Sequence, residues 1–251
     1  MADEGDELTY QSYLRVADLL TLQTLRSDPP HPEELHFIVV HQAMELWFKL
    51  LLADLERTIG ALDAEDWNLV LLLLHRHRDV MGHLTVQLRG LEDMAPASFH
   101  EFRSYLGTAS GLQSVQFREL ELLSGLRDPG YLQGLEATYG GRLPVELAGR
   151  LRQRSLADAH RDAAGRLGVT DWGAFYGGDG ARSPLYPVTE ALVDYDAAWI
   201  RWRQDHVLVV QRAIGARARG TGGTALGYLR RTERFRFFPH LWEARDAVAD
   251  T

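Results

Sequence analysis

Cysteine is absent from all 251 residues. Its absence excludes disulfides, thiolate-bound zinc, cysteine-ligated iron–sulfur clusters and thiol nucleophiles, and leaves His, carboxylate, Met or Tyr to hold any metal. Lysine is nearly absent too: Lys49 is the only one, and all other side-chain cations are arginine or histidine. Positive charge is in deficit, with a formal net charge of −8 at pH 7. The chain therefore lacks the strongly basic field that phosphate backbones require, and no nucleic-acid partner is expected. No run reaches the roughly eighteen uncharged apolar residues of a membrane span. The opening MADEGDE has neither the basic nor the apolar region of a secretory signal. No membrane association is expected, and a soluble cytoplasmic protein is.

Strand patterns are also missing: no convincing alternation of apolar and polar residues occurs, whereas helical periodicity recurs along the chain. The fold expected is all-α, one helix-bundle domain over residues 1–251. Thr9 can cap a helix running to about Arg26, stopped by SDPPHP, and Pro32 suits the first turn of a second helix reaching Gly60. A third spans about Ala64 to Leu91. Ser98 can cap the short FHEFRSYL, followed by the turn-rich GTASGLQS and a helix from Ser114 to Leu126. Residues 130 to 170 read as two or three shorter helices, and GAFYGGDGARSPLYP (173–187) as a flexible loop. A long helix from Val188 to Gly215 precedes the glycine loop ARARGTGGTALG and a terminal segment with RFFPHLWEAR.

Two histidines interrupt apolar helical stripes. Phe37, His41, Met44, Phe48, Leu51 and Leu55 follow spacings of three and four, as do Leu192, Tyr195, Trp199, Trp202, His206, Val209 and Ala213. A core histidine satisfied by a backbone carbonyl is the ordinary explanation for one such position. Two of them, on two long amphipathic helices rich in aromatics, fit a bundle interior in which a neutral imidazole can ligate haem iron. His75 and His77 lie two apart, which points them to different faces, and read as solvated or rim residues. His31, His36, His83, His100, His160 and His240 form no constellation in the sequence. GTGGTALG lacks the Gly-Lys-Ser/Thr ending of a phosphate loop and follows no strand. Its glycines permit close backbone approach to a ligand, with Thr221 as a hydroxyl. Phe99 and Arg103 share a helical face, an apolar contact beside a fork suited to a carboxylate.

Taken together, LTYQSYLRVADLLTLQ, FIVVHQAMELWFKLLL, FHEFRSYLGTASGLQSVQFRELE, WRQDHVLVVQRAIG, GTGGTALGYLRRT and FFPHLW resemble, in their order, the tryptophan 2,3-dioxygenase family. The resemblance implies an all-α homotetramer with haem b in the bundle core, adding both atoms of O2 across the indole C2–C3 bond of L-tryptophan to give N-formylkynurenine. It implies His206 as the proximal haem ligand and His41 as the distal histidine that accepts from the indole N–H. Phe37 and Phe99 become walls around the indole, Arg103 the clamp on the substrate carboxylate, and Thr221 the partner of the ammonium group. Ser110 lies over the haem and Arg118 near a propionate. Tyr10, Tyr13 and Leu14 belong to an N-terminal helix that completes a neighbouring subunit's pocket.

The sequence departs from the family pattern in a compressed region around residues 130–190, in one extra residue before the glycine loop, and in Thr224-Ala225 where Ser-Ser or Ser-Ala is common. Two other readings stay open: a relative that inserts one oxygen into a substituted tryptophan, giving an oxindole or hydroxylated product, and a non-catalytic haem or indole sensor.

Overall fold

The computed structural model describes residues 8–215 and 226–249, and these contain helices and irregular segments with no strand among them. The all-α expectation holds. The single N-terminal helix does not: α1 (Tyr10–Leu14) and α2 (Val16–Leu19) stand in its place. Thr9 caps α1 by accepting from the Ser12 amide, but Arg15 adopts a left-handed conformation (φ 51°) and interrupts the run. All of α1 is exposed. A helix that short is marginal without packing, and the described residues leave it uncovered.

α3 (Pro32–Asp63) starts as the sequence predicts, with Pro32 in the first turn, the His31 ring accepting from the Glu33 amide, and Glu33 and Glu34 at the positive end of the helix dipole. Glu34 is buried and accepts from the amides of Arg26 and Ser27 and from the Ser27 hydroxyl. Burial opposes its ionisation, yet these donors hold its carboxyl below the ordinary range. α4 (Trp67–Arg89), capped by Asp66, returns after a short connection. α5 (Pro96–Phe102) begins earlier than Ser98, with Pro96 in its first turn, and tightens into a 3-10 turn at Arg103–Leu106. α6 (Val115–Ser124) is capped by Ser114 as expected. The shorter helices expected between 130 and 170 are α7 (Pro129–Thr138), α8 (Val145–Arg152) and α9 (Leu156–Arg166).

The stretch 173–187 is not a flexible loop. It contains most of α10 (Trp172–Gly177), a 3-10 turn at Asp179–Arg182, and the start of α11 (Leu185–Ile214). Asp171 caps α10 through the Ala174 amide, and Phe175 is buried. Two of its glycines permit close backbone approach: a Cβ on Gly178 would lie 2.8 Å from the Ala174 carbonyl oxygen, and one on Gly180 would collide with the Phe175 carbonyl. α12 (Leu226–Thr232) and α13 (Pro239–Ala249) complete the described chain.

α4 packs along both α3 and α11, while α6 lies against α3. The two predicted stripes face inward: Met44, Phe48, Leu51 and Leu55 from α3, and Leu192, Tyr195, Trp199, Trp202 and Val209 from α11, are buried. α3 has the length and composition to cross a membrane, but its Met44, Phe48, Leu51 and Leu55 face belongs to the core. Being sandwiched explains why His77 departs from its expected rim position. His75 is exposed, whereas His77 is fully buried, its ring edge-on to Tyr195 at 5.6 Å. Neither of its ring nitrogens has a hydrogen-bond partner among the described residues, and burial pushes it down to about 4.

The irregular segment before α13 is held by one carboxylate. Buried Asp196 on α11 accepts from the amides of Phe237 and Phe238 and from the Trp242 indole N–H. His160 and His240, unconnected in the sequence, also meet here. The His160 ring stacks on Trp172 at 5.1 Å and lies 6.4 Å from the His240 ring, and its Nε2 pairs with the Thr189 hydroxyl.

Candidate active site

Because α3 and α11 both pack on α4, a space is left between their facing sides, and a cavity of about 230 Å³ occupies it. Phe37 and His41 of α3 line it opposite Trp202 and His206 of α11. Phe99, Ser110 and Arg118 close other sides, and α12 contributes Leu226, Tyr228 and Leu229. The walls are mainly apolar, with a few polar groups converging, which is the usual make-up of a small-molecule site.

The two imidazoles are prepared differently. The Phe37 carbonyl, four residues back on α3, lies 2.7 Å from His41 Nδ1. A carbonyl can only accept, so Nδ1 carries the proton and Nε2 is left as an acceptor. The Phe37 ring covers this imidazole at 4.1 Å. Burial lowers the His41 pKa, opposed by the Phe37 carbonyl and by Glu45. His206 has no hydrogen bond to any described residue. Its ring stacks on Trp202, centroids 5.1 Å apart and planes 20° apart. Burial, then His41 and Arg118, push it down to about 4, so both rings are neutral at pH 7 and keep a lone pair.

One edge of the cavity is cationic. Arg118 and Arg203, both buried, share the single carboxylate of Glu121: Arg118 Nη1 donates to one oxygen and Arg203 Nη2 to the other at 3.0 Å. Burial alone would lower the Arg118 pKa, but the Glu121 charge outweighs it and raises it. Arg203 also donates to the Phe235 carbonyl at 3.1 Å. On the opposite side Glu45 accepts from the Ser114 hydroxyl at 2.6 Å and from Gln116 at 2.8 Å, tying the turn that carries Ser110 to α3.

This donor set fits a haem better than a bare ion. Among the described residues no group of three or more His, Asp or Glu side chains converges. One unpartnered neutral imidazole, apolar walls and a guanidinium pair exceeding its carboxylate supply what a porphyrin needs: an axial ligand, a dry surround and countercharge for propionates.

Six of the residues singled out in the sequence thus meet at one cavity: Phe37, His41, Phe99, Ser110, Arg118 and His206. Arg103 stands beside it, half-buried, its guanidinium carbon 5.7 Å from the Phe99 ring centroid. Thr221 lies outside the described residues. Tyr10, Tyr13 and Leu14 sit exposed on α1 and do not border this cavity. The sequence reading missed Glu45, Glu121 and Arg203. The first two were within reach, since Glu45 follows His41 by four residues and Glu121 follows Arg118 by three. Arg203 follows Trp199 by four residues and precedes His206 by three, so its inward face was legible too, but its partner Glu121 on α6 was not.

Comparison with known proteins places the chain in a family. The profile described as tryptophan 2,3-dioxygenase matches residues 1–166 and 151–248. A protein of that name from Nocardioides sp. is 38% identical over 267 aligned residues, covering 98% of this chain and 97% of the relative. One from Herpetosiphon aurantiacus is 36% identical, covering 95% and 97%. A third, from Xanthomonas euvesicatoria pv. vesicatoria, is 33% identical, covering 98% and 89%.

Proposed function

This chain is an oxidoreductase of the tryptophan 2,3-dioxygenase family, and from that premise we propose that it binds haem b and adds both atoms of O2 to the indole ring of L-tryptophan, giving N-formylkynurenine. The observation that carries the reading is the pair of neutral imidazoles facing one apolar cavity from α3 and α11, with His41 Nε2 left as an acceptor. Indole is apolar with a single N–H donor. A dry aromatic pocket with one acceptor orients it, and orientation is a large share of what a protein contributes to such a reaction.

His206 is the residue that would hold the haem iron, with Arg118 toward a propionate and Ser110 over the macrocycle. Ferrous haem, when bound, supplies the activation of O2. The remaining work falls to the chain's own residues. His41 Nε2 accepts from the indole N–H and, with its other nitrogen engaged by Phe37, cannot rotate away without losing that bond. Phe37 and Phe99 flank the ring and exclude water. Arg103 binds the substrate carboxylate, and Thr221 meets the ammonium group. The whole chain, 1–251, acts as one haem-binding domain. Tyr10, Tyr13 and Leu14, exposed here, complete the pocket of a neighbouring subunit in a homotetramer, which accounts for a helix that none of the described residues covers.

The test is to load the protein with haem, reduce it, supply L-tryptophan and O2, and weigh the product. Addition of two oxygens supports the proposal. One added oxygen, or turnover only of a substituted tryptophan, replaces it with the mono-oxygenase reading, and a haem spectrum without turnover leaves the sensor. His206→Ala should abolish tight haem binding, measured by retention of the Soret band through gel filtration. Full retention would remove His206 as the ligand.

A further inference from the structure

A second cavity, separate from the first, lies where the start of α9 and the segment before α13 meet the end of α6. Its volume is about 400 Å³. Four guanidinium side chains line it, Arg127, Arg161, Arg234 and Arg236, against two carboxylates, Asp128 and Asp158. In a chain of net charge −8 this is a local reversal of sign.

Both carboxylates are already committed. Asp128 caps α7 through the Tyr131 amide. Asp158 accepts from the Ser155 amide and hydroxyl and from Arg161 at 3.0 Å. Arg127 bonds only carbonyl oxygens, those of Leu122, Leu126 and Arg150. Arg236 likewise bonds only the carbonyls of Glu233 and Phe235. Arg234 makes no side-chain hydrogen bond or ion pair with a described residue. None of these three cations hydrogen-bonds a carboxylate among the described residues, although the charge of Asp158 acts on Arg127 and that of Asp196 on Arg236. Burial lowers the pKa of both Arg127 and Arg236 by more than those charges raise it, the reverse of the hydrogen-bonded pairs of Arg150 and Arg154. Arg127 and Arg236 are half-buried and Arg234 is exposed beside them; leaving the two half-buried charges unneutralised is costly, and an anion bound among the guanidiniums offsets that cost.

We propose that this basin is a binding site for a phosphate-bearing anion, held by Arg127, Arg234 and Arg236. Guanidinium groups match phosphate oxygens in geometry and charge, and a dianion suits the excess of two positive charges better than a monocarboxylate does. The cavity has room for more than a lone phosphate ion, so the phosphoryl group of a small metabolite and inorganic phosphate or pyrophosphate are both accommodated.

The experiment is calorimetric titration of the haem-loaded protein with inorganic phosphate, pyrophosphate and adenosine 5′-monophosphate at constant ionic strength, with acetate as control. Saturable binding of at least one phosphate species is expected, with acetate weaker by about tenfold or more. Arg234→Gln is the first variant, because that side chain bonds no described residue; it should weaken the same binding about tenfold with an unchanged circular dichroism spectrum. Arg127→Gln, read in parallel, should do likewise. Adenosine monophosphate binding tighter than phosphate identifies an organic ligand, and equal affinity identifies the free ion. No saturable binding to the wild type up to about 10 mM, or binding that neither variant changes, overturns the proposal.

Discussion

At the scale of single residues, the protein sorts its histidines by what each ring nitrogen touches. His41 has one nitrogen on the Phe37 carbonyl and one turned to the cavity, whereas His77 has no partner on either and is simply enclosed. Different outcomes follow for the two. His41→Ala should leave haem retention intact and lower kcat/KM for L-tryptophan by about 5- to 150-fold, the equivalent of one buried hydrogen bond of about 1–3 kcal/mol; loss of haem with unchanged turnover per haem would reverse the assignment. For His77 the native state holds the ring neutral, with its pKa pushed from 6.5 to about 4. The stability this neutrality contributes is present above pH 6.5, and it is lost as pH falls toward 4, because the unfolded chain takes up a proton that the core refuses. His77→Leu removes the proton uptake without stripping a partner. Its stability gap between pH 7 and pH 4, from urea unfolding of the apo-protein, should narrow by on the order of 3 kcal/mol relative to wild type. An unchanged gap would show that other groups govern the acid limb. The burial of His77 was not legible because residue spacing gives the direction of a side chain, not what stands opposite it.

Among the elements, the long helices, α6 with its Ser114 cap and the short helices between 130 and 170 were readable, whereas the broken N-terminal pair α1 and α2 and the ordered stretch around α10 were not. α3, α4 and α11 announce themselves by apolar residues at three- and four-residue spacing, and their caps His31 with Pro32, Asp66, and the glycine after Ile214 mark the ends. The stretch 173–187 misled because glycine and proline usually punctuate loops. Here Gly178 and Gly180 allow backbone to pass close to the carbonyls of Ala174 and Phe175, a tertiary use of the same residues. The segment before α13 has no periodicity of its own; Asp196 fixes it from forty residues away. Asp196→Ala would leave two buried amides and the Trp242 indole N–H without their acceptor. A loss of about 3 kcal/mol or more is expected in denaturant unfolding, and a loss below about 1 kcal/mol would mean that the segment holds its place without the carboxylate.

For the whole molecule, the outward side of α3 is the unexplained surface: Leu35, Val39, Leu46 and Leu50 are exposed on it, and Gln42, in line with them, bonds Gln23 and the Leu22 carbonyl of the N-terminal segment. An apolar stripe of that length beside an uncovered α1 fits a subunit contact. If the proposed homotetramer forms through this face, the double substitution Leu46→Glu and Leu50→Glu should lower the sedimentation coefficient in sedimentation velocity while leaving helicity unchanged; an unaltered coefficient would place the contact elsewhere. By itself the sequence determined the all-α class, the long helices and their buried stripes, and the two histidines set within them, because helical period and capping are local and need only the order of residues. Tertiary structure alone decided that those histidines face one cavity, that Glu121 is shared by Arg118 and Arg203, that His77 is enclosed and that four arginines gather at a second cavity. Each of these joins residues far apart in the chain, and their distances are set by how helices pack, which no local spacing encodes.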